Sequence, residues 1–273
     1  QPSQAVRMTR MLIASIAAAT LAFHAPPTAQ RVQVNGIELH YDVQGTGEPL
    51  IMLHGFGMCG AMWTPVAQEL ARRYRVISVD MRGHGRSTNP SNKFSHPQSA
   101  EDIRALMDSL GIKQARAIGF SSGGMTLLRL ATKYPDRLTK MVVVGATTHF
   151  GDQARAMVRS VSKETLPPPI LDGFRKCATR GDTQVREILA QFAHFADTTD
   201  DMNLTPADLA KVKAQTLIVH GDRDEFFPVA IPVTMYGSIP KAALWIAPGG
   251  DHSPSAGADR EEFVETVGEF LER

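Results

Sequence analysis

Short runs of consecutive apolar residues, each the length of one strand, recur along this chain with helix-length stretches between them. Leu50-Ile51-Met52-Leu53, Val76-Ile77-Ser78-Val79, Ala115-Arg116-Ala117-Ile118, Met141-Val142-Val143-Val144, Thr216-Leu217-Ile218-Val219 and Ala243-Leu244-Trp245-Ile246 are such runs. A strand that is apolar at nearly every position buries both faces, as in a parallel sheet covered by helices on each side. The intervals Thr64 to Tyr74, Ser99 to Leu110 and Gly123 to Tyr134 supply crossover helices, which connect parallel strands right-handedly. Ahead of them, Arg31 to Val34 and Glu38 to Val43 flank Asn35-Gly36, a two-residue hairpin turn. The pattern predicts an α/β fold: a mostly parallel eight-stranded sheet with helices on both faces.

The rhythm breaks between Thr147 and Val212, where no strand-like run occurs and helical fragments surround Pro167-Pro168-Pro169. Phe174, Ile188, Leu189, Phe192 and Phe195 give this stretch an apolar side. It reads as a helical cap (147–212) inserted into a core made of 30–146 and 213–273. Residues 1–29 read as a leader: Arg10 precedes the apolar run Met11 to Phe23, the order of a secretory signal peptide. Export to the periplasm or medium is therefore expected. The run is too short for a secure membrane span, so no stable membrane insertion of the mature chain is expected.

With 29 basic against 28 acidic residues the net charge is +1, which gives no basis for a nucleic-acid partner. The two cysteines, Cys59 and Cys177, make neither a disulfide framework nor a metal-binding spacing. They are expected to be two separate small hydrophobes, although an oxidising compartment would permit pairing. Nothing calls for a metal or an organic cofactor.

The chemistry-bearing string is Gly119-Phe120-Ser121-Ser122-Gly123-Gly124, which leaves one predicted strand and opens a predicted helix. A nucleophile on so sharp a turn needs small neighbours two residues away on each side. Gly119 and Gly123 meet that need for Ser121, whereas Ser122 would have Phe120 in one of those places. A serine hydroxyl needs a base, which should come late in the chain after an acid. His252, in the loop beyond the last strand, is the base candidate, and His220, closing a strand, reads as structural. Asp224 is the acid candidate, ahead of Asp222, which reads as tying its turn to backbone amides. His54-Gly55-Phe56-Gly57 leaves a strand into a glycine-rich loop, so the backbone amides of Phe56 and Ser122 are the expected oxyanion donors. His54 reads as a brace for that loop.

These blocks, together with Asp80-Met81-Arg82-Gly83-His84-Gly85-Arg86-Ser87 and Gly221-Asp222-Arg223-Asp224, resemble the α/β-hydrolase family from about Val32 to the C-terminus. The resemblance implies that Asp224, the second aspartate of its block, is the triad acid and that Asp80 to Ser87 is a structural turn. Epoxide hydrolases and haloalkane dehalogenases of this fold carry aspartate where Ser121 stands, so an alkyl-enzyme mechanism is not implied. The elbow resembles that of cofactor-free haloperoxidases, with Ser122 in place of their usual methionine. The expectation is a serine carboxylic ester hydrolase acting on small esters, with water as co-substrate. Hydrolysis of a carbon–carbon bond, lactone or amide, perhydrolysis, and ligand binding with little turnover stay open. Phe56, Met58, Trp63, Phe192, Phe195 and Phe226 are the expected substrate-pocket residues.

Overall fold

The structure is a computed structural model that describes residues 26–162, 164–255 and 260–273, so the leader lies largely outside the described residues. Its first element is a hairpin of β1 (Thr28–Val34) and β2 (Ile37–Gln44), turning through Asn35 and Gly36 at φ +43° and +76°. Both turn residues with positive φ twist the ribbon in the hand the strands prefer. Then follow β3 (Glu48–Leu53), α1 (Thr64–Leu70), β4 (Tyr74–Asp80), α2 (His96–Ser109), β5 (Ala115–Phe120), α3 (Ser122–Lys133) and β6 (Leu138–Val144). After β6 come α4 (Asp152–Ser160), α5 (Pro168–Cys177), α6 (Asp182–His194) and α7 (Pro206–Leu209). The chain closes with β7 (Gln215–Gly221), α8 (Ala230–Ser238), β8 (Ala242–Ala247) and α9 (Arg260–Glu272).

The eight strands form one sheet in the order β1-β2-β4-β3-β5-β6-β7-β8. Only the β1–β2 and β2–β4 pairings are antiparallel. Alternate side chains of each run go to opposite faces, which is why the runs are apolar throughout. Ile51, Leu53, Ala117, Met141 and Val143 pack with Ile103, Leu106 and Met107 of α2 and with Leu127 and Leu128 of α3. Leu50, Met52, Ile118, Val142 and Val144 pack with Val66 and Leu70 of α1 and with Phe263, Val267 and Leu271 of α9.

The order fixes where a ligand can enter. From β3 the chain steps to β4 on one side, then crosses back to β5 on the other. This reversal opens a crevice at the carboxyl ends of β3 and β5, the place where open α/β sheets bind ligands. The turn after β4 supports it. Asp80 accepts hydrogen bonds from the amides of Gly60 (2.8 Å) and Arg86 (3.0 Å) and from the Arg86 guanidinium (2.8 Å). Burial would raise the Asp80 carboxyl, but these partners outweigh it and hold the group below its ordinary value. Buried Arg82 grips Asp102 of α2 with two bonds of 2.8 Å.

The helices between β6 and β7 gather Phe174, Val185, Ile188 and Leu189 into their own apolar cluster. Gln184 of α6 donates to the carbonyls of Gly83 (3.0 Å) and Gly85 (2.9 Å), seating this helical insert on the turn after β4. One expectation fails here. Cys59 and Cys177 are not separate hydrophobes but a disulfide, with Cα atoms 5.5 Å apart at a sequence separation of 118. The physical reason is that α5 folds down onto the loop after β3. A Cβ at Gly173 would lie 3.7 Å from the end of the Met58 side chain, and a Cβ at Gly57 would overlap the Phe174 ring.

Candidate active site

The elbow between β5 and α3 puts Ser121 at φ +49° and ψ −114°, a region that L-residues seldom enter. The turn closes because both flanking glycines lack side chains. A Cβ at Gly119 would lie 2.5 Å from the Gly123 carbonyl, and one at Gly123 would lie 2.3 Å from the Leu53 carbonyl. The Ser121 amide donates to the Val144 carbonyl at 2.7 Å, pinning the turn across to β6. Ser121→Gly should relieve about 1–3 kcal/mol of backbone strain while adding about 0.5–1 kcal/mol of unfolded-state entropy. A net gain of about 1 kcal/mol is expected in urea denaturation. A lower midpoint would show that the turn is not strained.

His252 stands in the loop after β8, 131 residues beyond Ser121. Its Nε2 lies 3.0 Å from Ser121 Oγ and its Nδ1 lies 2.8 Å from Asp224 Oδ2. Asp224 sits in the loop after β7, where its Oδ1 accepts the amides of Phe226 (2.8 Å) and Phe227 (2.9 Å). Burial pushes its carboxyl up, but the His252 ring and the two amides outweigh that and hold it below the ordinary value. An ionised carboxylate only accepts, so Nδ1 donates to Asp224 and Nε2 is left to accept the Ser121 hydroxyl. The ring is held among Phe226, Phe120 and Phe227, with centroids 4.7, 5.3 and 5.5 Å away.

The supporting residues fall where the sequence puts them. Asp222 is exposed and accepts the Gly249 amide at 2.7 Å, holding its turn. His220 is buried, donates to the Phe227 carbonyl at 2.9 Å, and is kept neutral by burial. His54 accepts the Met81 amide at 2.9 Å through Nε2 and donates through Nδ1 to the Gly55 carbonyl at 2.7 Å. Among the described residues, no acceptor takes the amides of Phe56 or Ser122.

Ser121 and His252 open into a cavity of about 230 Å³, lined by Phe56, Met58, Phe192, Phe195 and Phe226 among others. Trp63 is the correction. It ends the 3₁₀ turn Gly60–Trp63, which leads down into α1, so its indole enters the core instead of the cavity. There it is 1% exposed and stacks on Phe263 of α9 at 6.5 Å. Lining residues that sequence reasoning missed include Phe120, Phe150, Ile170 and Phe174. Phe120 and Phe150 were findable, since both follow closely on predicted strands at the sheet's carboxyl edge.

The profile of the alpha/beta hydrolase fold matches residues 48–175. The human serine hydrolase BPHL is 31% identical over 265 residues, covering 92% of this chain and 89% of that protein. A non-heme haloperoxidase of Rhodococcus erythropolis is 26% identical, with 85% and 97% covered. Among solved structures, a meta-cleavage product hydrolase of Pseudomonas fluorescens superposes with a TM-score of 0.73 at 24% identity, covering 89% of this chain and 97% of that one. The chain belongs to the α/β-hydrolase family, and it is a hydrolase of the serine type by its relatives.

Proposed function

We propose that the protein is a serine carboxylic ester hydrolase acting on small esters with an apolar acyl or alcohol group. The observation that carries this reading is the chain of hydrogen bonds from Ser121 through His252 to Asp224 at the floor of an aromatic cavity. Ser121 Oγ attacks the ester carbonyl while His252 Nε2 takes its proton and Asp224 stabilises the imidazolium. The tetrahedral oxyanion is held by the amides of Phe56 and Ser122. Collapse breaks the bond to the alcohol oxygen, which receives the proton from His252. Water, deprotonated by the same imidazole, then releases the acid from Ser121. The helical insert acts as a cap, its Ile170, Phe174 and Phe192 forming the apolar wall. An exported location fits the Cys59–Cys177 disulfide, because such bonds persist in oxidising compartments.

The test is hydrolysis of p-nitrophenyl acetate and butyrate by the wild type and by Ser121→Ala, with fluorophosphonate labelling of both. Wild-type turnover, a single label at Ser121, and a loss of about a thousandfold or more in Ser121→Ala are expected. Equal activity in the two proteins would remove Ser121 as nucleophile. Turnover of amide or carbon–carbon substrates in preference to both esters would move the reading to another bond.

A further inference from the structure

Next to the first Ser–His–Asp chain lies a second one, entirely buried. Ser122 Oγ is 2.7 Å from His96 Nε2, and His96 Nδ1 is hydrogen-bonded to Asp201 Oδ2. The other carboxylate oxygen, Oδ1, accepts the His96 amide at 2.8 Å. His96, Ser122 and Asp201 are 0%, 1% and 6% exposed. The three come from separate parts of the fold: the start of α2, the start of α3, and the segment between α6 and α7. Arg129 of α3 fastens that segment as well, donating to the Asp201 carbonyl (2.6 Å) and the Asp200 carbonyl (2.9 Å). The His96 ring backs onto the cavity wall, with centroids 5.1 Å from Phe195 and 6.3 Å from Phe150.

Buried polar groups of this kind are costly unless every member is satisfied. Here the two-point grip of Asp201 fixes the ring. With Nδ1–H given to the carboxylate, Nε2 is left to accept the Ser122 hydroxyl hydrogen. That hydroxyl is thereby turned away from its neighbour Ser121, and Ser122, the residue read as giving an oxyanion amide, is clamped by its own side chain. We propose that His96 and Asp201 are positioning residues: acting through the Ser122 hydroxyl, they hold the Ser122 amide as oxyanion donor and tie its placement to the seating of the helical insert. This inference rests on the reading of Ser121 as an acylated nucleophile.

Asp201→Asn is the informative change, because it is nearly isosteric. Oδ1 must still accept the His96 amide, so the new NH₂ group faces Nδ1. The ring then carries its proton on Nε2, donates to Ser122 Oγ, and leaves the hydroxyl hydrogen free to turn elsewhere. Removing an oxyanion donor costs about 10²–10³ in kcat, so displacing one should cost about tenfold, with KM within about twofold. Ser122→Ala, which keeps the amide and removes the grip, should lose a similar amount. The double variant should be no worse than Ser122→Ala alone, since both act through one hydroxyl. Active sites are counted by fluorophosphonate labelling, so that misfolded protein does not enter kcat. Additive losses, a raised KM with kcat intact, or wild-type kcat in Asp201→Asn would each overturn the proposal. So would label on Ser122. Wild-type protein without Ser121-dependent turnover would instead overturn the ester-hydrolase reading itself.

Discussion

Asp224→Asn is expected to lower kcat for p-nitrophenyl butyrate by about three to four orders of magnitude, with the fold unchanged. In the serine-protease template the equivalent exchange costs about 10⁴, through the tautomer of the histidine and not through any loss of geometry. The same logic operates here. Asp224 Oδ1 is held by two amides, those of Phe226 and Phe227, so an asparagine oxygen takes that place. Its NH₂ group must then face His252 Nδ1, at the 2.8 Å contact now made by Oδ2. Imidazole with its proton on Nε2 cannot accept the hydrogen of Ser121. Asp222→Asn is the control, because among the described residues its carboxylate meets only the Gly249 amide and the nearby Arg223 guanidinium. It should change kcat by less than about threefold, as exposed substitutions usually do. Circular dichroism and a melting curve establish that both variants are folded. Activity of Asp224→Asn within tenfold of the wild type would remove Asp224 as the acid, and a collapse in Asp222→Asn would transfer the role there.

What the sequence made legible was what depends on near neighbours. The strands stood out because burial on both faces demands unbroken apolar runs, as in Leu50 to Leu53. The elbow stood out because its steric demand falls on Gly119 and Gly123, two residues either side of Ser121. Asp224 and His252 could be located by the strands they follow. The illegible parts are those that depend on how distant segments meet. Trp63 is expected in the pocket from its place after the oxyanion loop, but its aromatic character does not say whether it faces the cavity or α9. His96 carries no local signal of a role, and its partner Asp201 lies 105 residues away, reached only once the insert has folded back. The disulfide has the same cause.

Cys59 and Cys177 join the loop that follows β3 to the end of α5, and their removal should have the largest effect on stability. Closing a loop of this size restricts the unfolded chain by up to about 5 kcal/mol in the chain-entropy view, while measured values for native bonds run about 2–5 kcal/mol. For a protein of this size each kcal/mol moves the melting temperature by roughly 2–4 °C. The Cys59→Ala/Cys177→Ala double variant, which leaves no single thiol, should therefore melt about 5–15 °C lower. The loss should not be uniform. The sheet and its two apolar layers contain neither cysteine, whereas α5 buries little beyond Phe174. Without the bond α5 should open first, exposing its backbone to limited proteolysis between Pro168 and Cys177 and taking Ile170 and Phe174 away from the cavity. Apolar contact area lost on the substrate side raises KM for butyrate more than for acetate, since each buried methylene contributes about 0.8 kcal/mol. Thiol titration of the unreduced, denatured wild type should detect no free cysteine. Two free thiols there, or a double variant that melts with the wild type, would show that α5 is held to the loop by packing alone.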